Sequence, residues 1–393
     1  MTDSLYLAWR YIRFNRIKTI TLITCISLIT FLPFALKSLL AASEQQLMSR
    51  AFTTPLLVGA KGNSLDLVMN SLYFSKETPD FINMKATDKI ANSNLAQPIP
   101  LYIRFHAKDY PIVGTSIDYF AFRKLQLASG RHFALLGECV IGADVAYLLQ
   151  LKIGDSILSS PENLFDLAGT YPLKMTITGI LENTNSADDK AIFVDLKTAW
   201  VIQGLGHGHQ DIKTIKDPTA ILNRSQNAVT TSEKIRQYSE INKNNLESFH
   251  FHGDPSIYPL TAIIAAPFDS KSATLLRGRF LSKNSNLQIV RPKEVIEELL
   301  ANIFKIKNFF DAIVLIVAIA MILAVLLVFS LSLRLRQKEI NTIFHLGCSR
   351  GTIAQLIAAE IFIIALFSGL LCWLALVILS HFQEEIVYKL FIS

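Results

Sequence analysis

Eight histidines stand in this 393-residue chain, and four of them form two His-x-His pairs. His207 and His209 belong to Gly206-His207-Gly208-His209-Gln210-Asp211, where the glycines predict a flexible, exposed loop. His250 and His252 belong to Phe249-His250-Phe251-His252-Gly253-Asp254. If that stretch is a strand, its two-residue period puts both imidazoles on one face and both Phe rings on the other. Two such pairs could supply four nitrogens to zinc, an ion that imidazole suits. The competing reading is two unrelated surface pairs in polar loops, because His-x-His arises readily by chance.

Other reactive patterns are missing from the sequence. A phosphate cradle needs Gly-x-x-x-x-Gly-Lys-Ser/Thr between strand and helix, and Gly59-Ala60-Lys61-Gly62 has the wrong spacing. There is no Gly-x-Ser-x-Gly elbow and no His-Glu-x-x-His. No catalytic residue is assigned, and the chain is not expected to be an enzyme. A formal charge of +6 without a run of five basic residues argues against nucleic acid.

The elements that must position any site are dominated by apolar helices. Apolar residues make up 51% and charged residues 18% of the chain, against roughly 25% charge in soluble domains. Ala312 to Leu333 is uncharged throughout, as is Ile361 to Ser380. Thr19 to Leu36 is a third such run, carrying Pro33 and followed by Lys37. A bilayer core needs about 20 apolar residues of helix, so spans are predicted over 19–42, 311–333 and 361–380. A signal peptide is the alternative for the first run, which is long for that role.

Arginine and lysine placement orients the spans. Residues 1–18 hold Arg10, Arg13, Arg16 and Lys18 against Asp3, and 334–360 holds Arg334, Arg336, Lys338 and Arg350 against Glu339 and Glu360. Both segments read as cytoplasmic. The tail 381–393, with Lys389 against Glu384 and Glu385, reads as external. Residues 43–310 then lie outside. They hold one cysteine, Cys139, so no internal disulfide can close there.

Strand patterning is expected at Leu56–Gly59, Ile99–Phe105, Leu173–Leu181, Ile192–Val194, Thr261–Ala266 and Leu287–Val290. Pro111 pushes a strand at Tyr110–Gly114 toward a sheet edge. A strand entering a helix near Gly142, a Gly154-Asp155 turn, and helices over Leu196–Ile202 and Ser270–Phe280 complete an α+β outer module. Polar residues 205–255 read as a surface excursion or a linker between subdomains. Pro292 can open a helix that carries Val295, Ile296, Leu299, Leu300 and Ile303 on one face.

Two inside segments are patterned. Leu5, Ala8, Trp9 and Ile12 share a face, as in an amphipathic helix lying in the membrane surface. After the second span, Ile340, Ile343 and Phe344, then Ile353, Leu356 and Ile357, fall at helical spacings around Gly-Cys-Ser-Arg-Gly at 347–351. A short helix, a turn and a helix feeding the next span can receive force from a soluble partner.

Arg336-Gln337-Lys338-Glu339-Ile340 and Phe344-His345-Leu346-Gly347-Cys348-Ser349-Arg350, with Gln355 to Glu360 after them, resemble the coupling segment of FtsX-like permeases of the MacB and LolC/LolE kind. Ala128-Ser129-Gly130-Arg131-His132-Phe133, Cys139-Val140-Ile141-Gly142, Ile153-Gly154-Asp155 and Ile177-Thr178-Gly179-Ile180 resemble landmarks of that family's periplasmic core domain. The resemblance implies a bacterial inner-membrane ABC transporter permease. It implies pairing with a second permease, and a separate ATPase subunit whose motion is relayed to a periplasmic domain handling a lipoprotein, lipophilic or metal-associated substrate. Arg336, Lys338, Glu339, Ile340, Phe344, Gly347, Arg350 and Glu360 would belong to the coupling relay. The plainer reading is that these charges mark the membrane edge.

The run Leu57 to Ser64 with Leu67 to Tyr73 is similar to the start of a metal-associated subgroup, which would admit zinc or a periplasmic metal-binding partner. The family has four spans, whereas only two follow the outer segment here. That departure leaves room for a non-transporting scaffold that transmits ATPase motion to a periplasmic partner protein.

Overall fold

The computed structural model describes the backbone of residues 2–160, 172–208, 221–224, 229–231, 239–242, 245–280, 286–335, 337–345, 347 and 349–391. Along the chain, α1 (Thr2–Phe14) and α2 (Arg16–Thr53) precede β1 (Leu56–Ala60), α3 (Ser64–Tyr73), β2 (Ile82–Asn83) and α4 (Lys85–Ala91). There follow β3 (Ala96–Ala107), β4 (Tyr110–Thr115), α5 (Asp118–Arg123), β5 (Leu127–Gly130), β6 (Glu138–Ile141), α6 (Ala143–Leu149), β7 (Ser156–Leu158) and β8 (Leu173–Leu181). Then come β9 (Ile192–Asp195), α7 (Leu196–Ile202), β10 (Gly206–Gly208), β11 (Ile221–Arg224), β12 (Val229–Thr231), β13 (Ser239–Glu240), β14 (Phe249–Phe251), β15 (Pro259–Leu260) and β16 (Ala262–Pro267). The chain continues through α8 (Ser270–Phe280), β17 (Leu287–Val290), α9 (Pro292–Leu335), α10 (Gln337–His345) and α11 (Arg350–Phe391).

Contacts divide the chain into two units, one of residues 1–46 and 300–393, the other of residues 47–299. The second unit is built on a mixed sheet in the order β13-β8-β6-β9-β4-β3-β16-β1-β17, with β5 and β7 also on β8. Pairing is antiparallel from β4 through β3, β16 and β1 to β17, and parallel between β4 and β9 and between β6 and β8. Its inner strands read as continuous apolar runs because both faces are covered. Leu56, Leu57 and Val58 of β1, Ile192, Phe193 and Val194 of β9, and Ile263 and Ile264 of β16 are all buried. The α+β expectation therefore holds for this unit.

Two details depart from the sequence reading. β4 is no edge strand, since it lies between β3 and β9. Pro111 is accommodated because the ladder to β9 begins only at Ile112, and because the register against β3 shifts between Ile103 and His106, just before the His106–Pro111 pair. The polar excursion is also tied down at its ends: β10 pairs with β14, and β13 joins β8.

The first unit is helical. Among the described residues, Arg16–Thr53 and Arg350–Gln383 are long and apolar enough to cross a membrane, as a multi-pass membrane protein requires. Pro33 sits inside α2 without ending it. Large apolar side chains stand open along the helices, including Leu28, Leu32, Leu326, Leu327, Phe362 and Trp373. Bare apolar surface on that scale suits lipid, not water.

Candidate functional site

The segment between the last two apolar stretches is built from short-range rules. In α10, Thr342 Oγ1 donates to the Lys338 carbonyl at 2.9 Å. The helix stops at a turn in which the Gly347 N–H donates to the Phe344 carbonyl at 3.0 Å. Gly347 takes φ +95°, a left-handed conformation that glycine adopts without steric penalty. Ser349 then caps α11, its Oγ accepting the Thr352 N–H at 3.2 Å. The Arg350 guanidinium lies 6.0 Å from the Phe344 ring centre, so the residue after the turn folds back over the end of α10. Lys338, Phe344, Gly347 and Arg350 are exposed, Ile340 is half-buried, and Glu360 is buried in α11. Glu339 lies in α10, while Arg336 falls outside the described residues.

α1 is packed against α11. Ala8 and Ile12 are buried together with Leu22, Ala359, Ile363 and Ile364, and Trp9 stacks on Phe367 with ring centres 6.0 Å apart. This face is the one the sequence pattern picked out, although Leu5 stays exposed. α2 and α11 run in the same direction. Ser27 Oγ donates to the Ser368 carbonyl at 3.0 Å, and Ser38 Oγ donates to Gln383 Oε1 at 3.0 Å further along both helices.

The C-terminal end of α2 carries a buried charge that pattern reading passed over. Arg50 is 8% exposed. Its guanidinium grips Asp188 at both nitrogens, Nη1 to Oδ2 at 2.5 Å and Nη2 to Oδ1 at 3.2 Å. Nη2 also donates to the Tyr119 hydroxyl at 3.1 Å, and that hydroxyl donates to Asp188 Oδ1 at 2.8 Å. Burial alone would lower the Arg50 proton affinity and raise that of Asp188. Their mutual attraction outweighs it, so Arg50 holds its proton above the usual value and Asp188 stays ionised below the usual carboxylate range. Burial and the Asp188 charge push Tyr119 up to about 12. Ser186, which caps the short 3-10 turn over Ala187–Lys190, also accepts from Arg50 Nη1 at 3.3 Å. The one legible hint was Ser186-Ala187-Asp188-Asp189, a capping-box spacing. Nothing in a lone Arg50 distinguishes it from a membrane-edge charge.

The landmark motifs turn out to be structural. The Gly142 N–H donates to the Ala191 carbonyl at 2.9 Å, and a Cβ there would come within 2.2 Å of the Asp189 carbonyl oxygen. Glu138 is engaged by Arg131 through both carboxylate oxygens, at 2.8 and 2.5 Å, and by the Ala134 and Leu135 N–H groups. Cys139 is fully buried, and burial pushes its thiol up.

Of the four singled-out histidines, His250 and His252 come together with ring centres 4.7 Å apart. The ladder sets His207 opposite His250. His209 lies outside the described residues. No group of three His, Cys, Asp or Glu side chains converges among the described residues.

The MacB-like periplasmic core domain family matches residues 38–238, just over half of the chain. No curated protein matches the sequence. Among solved structures, the chain is similar to the periplasmic region of MacB from Actinobacillus actinomycetemcomitans, with 9% identity over 63% of this chain and 93% of that one and a TM-score of 0.33. It is likewise similar to the extracellular domain of the noncanonic ABC-type transporter YknZ from Gram-positive bacteria, with 10% identity over 60% of this chain and 98% of that one and a TM-score of 0.32. The chain belongs to the MacB-like periplasmic core domain family, and with it to the FtsX/MacB kind of ABC transporter permease.

Proposed function

We propose that this chain is the permease subunit that couples a separate ATPase to an extracytoplasmic domain. α10 and the Gly347 turn are the docking element, with Arg336, Lys338, Glu339, Ile340, Phe344 and Arg350 meeting the ATPase and Glu360 setting the start of the last span. The observation that carries this reading is the exposed pair Lys338 and Phe344 on a short helix, with Arg350 of α11 brought over Phe344 by a left-handed turn and a serine cap. An aromatic flanked by cations is the composition of an interface anchor. A second permease completes the assembly. The outer domain handles a lipoprotein, lipophilic or metal-associated cargo, or a periplasmic partner protein.

Helix direction supports the topology that the charge placement suggests. Two spans that run the same way must be joined by a chain that crosses back an odd number of times. The parallel pair α2 and α11 is therefore served by one return crossing, which the uncharged part of α9 supplies. The amino terminus and α10 then share the cytoplasmic side, and residues 47–299 lie on the other.

The test is co-purification of the full chain with its ATPase in mild detergent. Combining Lys338→Glu, Phe344→Ala and Arg350→Glu is expected to weaken retention of the ATPase by about 100-fold or more, at roughly 1–2 kcal/mol per anchor. Undiminished retention would refute α10 as the docking element.

A further inference from the structure

We propose that the groove between α4, β2 and the start of β17 binds a small organic anion with an apolar body, Lys85 and Lys89 taking the anionic group. This does not rest on the ATPase-coupling reading, because the lining residues belong to the 47–299 unit and not to α10 or α11. The groove holds about 520 Å³, within the roughly 300–1,000 Å³ of small-molecule sites.

The floor is apolar and already built. Ile82 and Ala86 are buried members of the domain core, and Leu287 packs against that core. β2 is anchored by its ladder to β15, and the Met84 N–H donates to the Tyr258 carbonyl at 2.8 Å. Phe81 stands at one side and is 42% exposed. Its ring lies 5.8 Å from that of Tyr102, and the Arg104 guanidinium lies 5.2 Å from its centre. A floor fixed in this way has little ordering cost to meet when a ligand arrives.

The rim carries the charge. Lys85 and Lys89 are one helical turn apart on α4 and so share a face. Both are exposed, and neither forms an ion pair among the described residues. Lys89 Nζ lies 5.3 Å from the Phe280 ring centre. Asp88 is the single carboxylate among the described lining residues, so two ammonium groups leave the rim cationic. Asp254, an acid that feels Lys85, is taken up by Ser256, whose N–H and Oγ donate to its two oxygens at 2.9 and 2.7 Å. Asn83, Asn92 and Asn286 add side-chain amides to the rim, and the Asn286 carbonyl accepts the Lys61 N–H at 2.9 Å. An inorganic anion would meet the lysines and leave the floor in water. A neutral apolar molecule would cover the floor and leave the lysines unused. A molecule with both parts makes charge-assisted bonds and buries apolar surface together.

The experiment is equilibrium dialysis of the full-length protein with naphthalenesulfonate, the same detergent standing on both sides so that uptake by micelles cancels. Saturable binding of about one equivalent is expected, with a Kd on the order of 0.1 mM. Lys85→Gln combined with Lys89→Gln should weaken it about 10-fold or more. Both lysines are exposed, and an unchanged melting temperature shows that the double variant keeps its fold. Two arms use the unaltered protein. Neutral naphthol should bind about 10-fold or more weakly than the sulfonate, and inorganic sulfate at equal concentration should not displace the sulfonate. Absence of saturable binding would overturn the assignment. So would equal affinity in the double variant, equal affinity for naphthol, or displacement by sulfate.

Discussion

A guanidinium and a carboxylate taken out of water each lose several kcal/mol of hydration, and only well-formed partners return it. Arg50, Asp188 and Tyr119 meet that condition through four hydrogen bonds of 2.5–3.2 Å. Arg50→Met strands the Asp188 charge and is expected to cost about 3–5 kcal/mol. The loss is measurable as a lower melting temperature of the full chain by fluorescence, with buried Trp200 in the same domain. The pH dependence has a definite sign. Asp188 is held below the ordinary carboxylate value, so its contribution is complete above that value and disappears as pH falls through the lowered one. Tyr119 is raised from 10.0 to about 12, so its contribution is complete below pH 10 and disappears between about 10 and 12. Asp188→Asn should flatten the acid limb of the stability profile. An acid limb as steep as that of the unaltered protein would show that other carboxylates control it. Beyond the capping-box spacing at Ser186–Asp189, this was not legible in the sequence, because a buried ion pair joins residues 138 positions apart and leaves no periodicity.

Elements were legible where one local rule decides them. α10 follows from Ile340 and Phe344 four residues apart, and its end follows from Gly347. β6 and α6 follow from an apolar run meeting Gly142. α3 escaped notice because its buried face includes Asn70 and Ser71 beside Leu67, Val68 and Leu72. Asn70 earns its place inside by donating to the Ser75 and Ile103 carbonyls at 3.1 and 3.4 Å, a tertiary arrangement that periodicity cannot show. Pro111 misled for the same reason, since a register shift supplied by β3 absorbs it. The turn after α10 offers a test at this scale. Gly347→Val places a β-branched residue at φ +95°, costing about 1–2 kcal/mol locally. ATPase stimulation by the assembled complex should fall, while the melting of the 47–299 domain should not. Equal stimulation by the variant would mean that the turn does not set the position of α10.

For the whole molecule, charge counting and helix direction both support the proposed arrangement, from independent starting points. Lysine and arginine bias placed residues 1–18 and 334–360 on the same side. The Ser27–Ser368 and Ser38–Gln383 hydrogen bonds make α2 and α11 parallel, a constraint that no hydropathy profile contains. Single-cysteine variants in a background without native cysteines are the direct check. Ser64→Cys, with Ser64 at the start of α3, should react with a membrane-impermeant maleimide from outside. Ser349→Cys should react only after the membrane is permeabilised. Labelling of Ser349→Cys in intact cells would reverse the arrangement and remove α10 from reach of a cytoplasmic ATPase.

Cys139 brings a consequence for the redox chemistry of the 47–299 domain. It is the single thiol of 43–310 and is shut inside β6. A protonated sulfur without solvent access is a poor target for oxidases, isomerases or alkylating reagents. Once folded, residues 43–310 therefore offer no accessible thiol for exchange, and no internal disulfide holds them together.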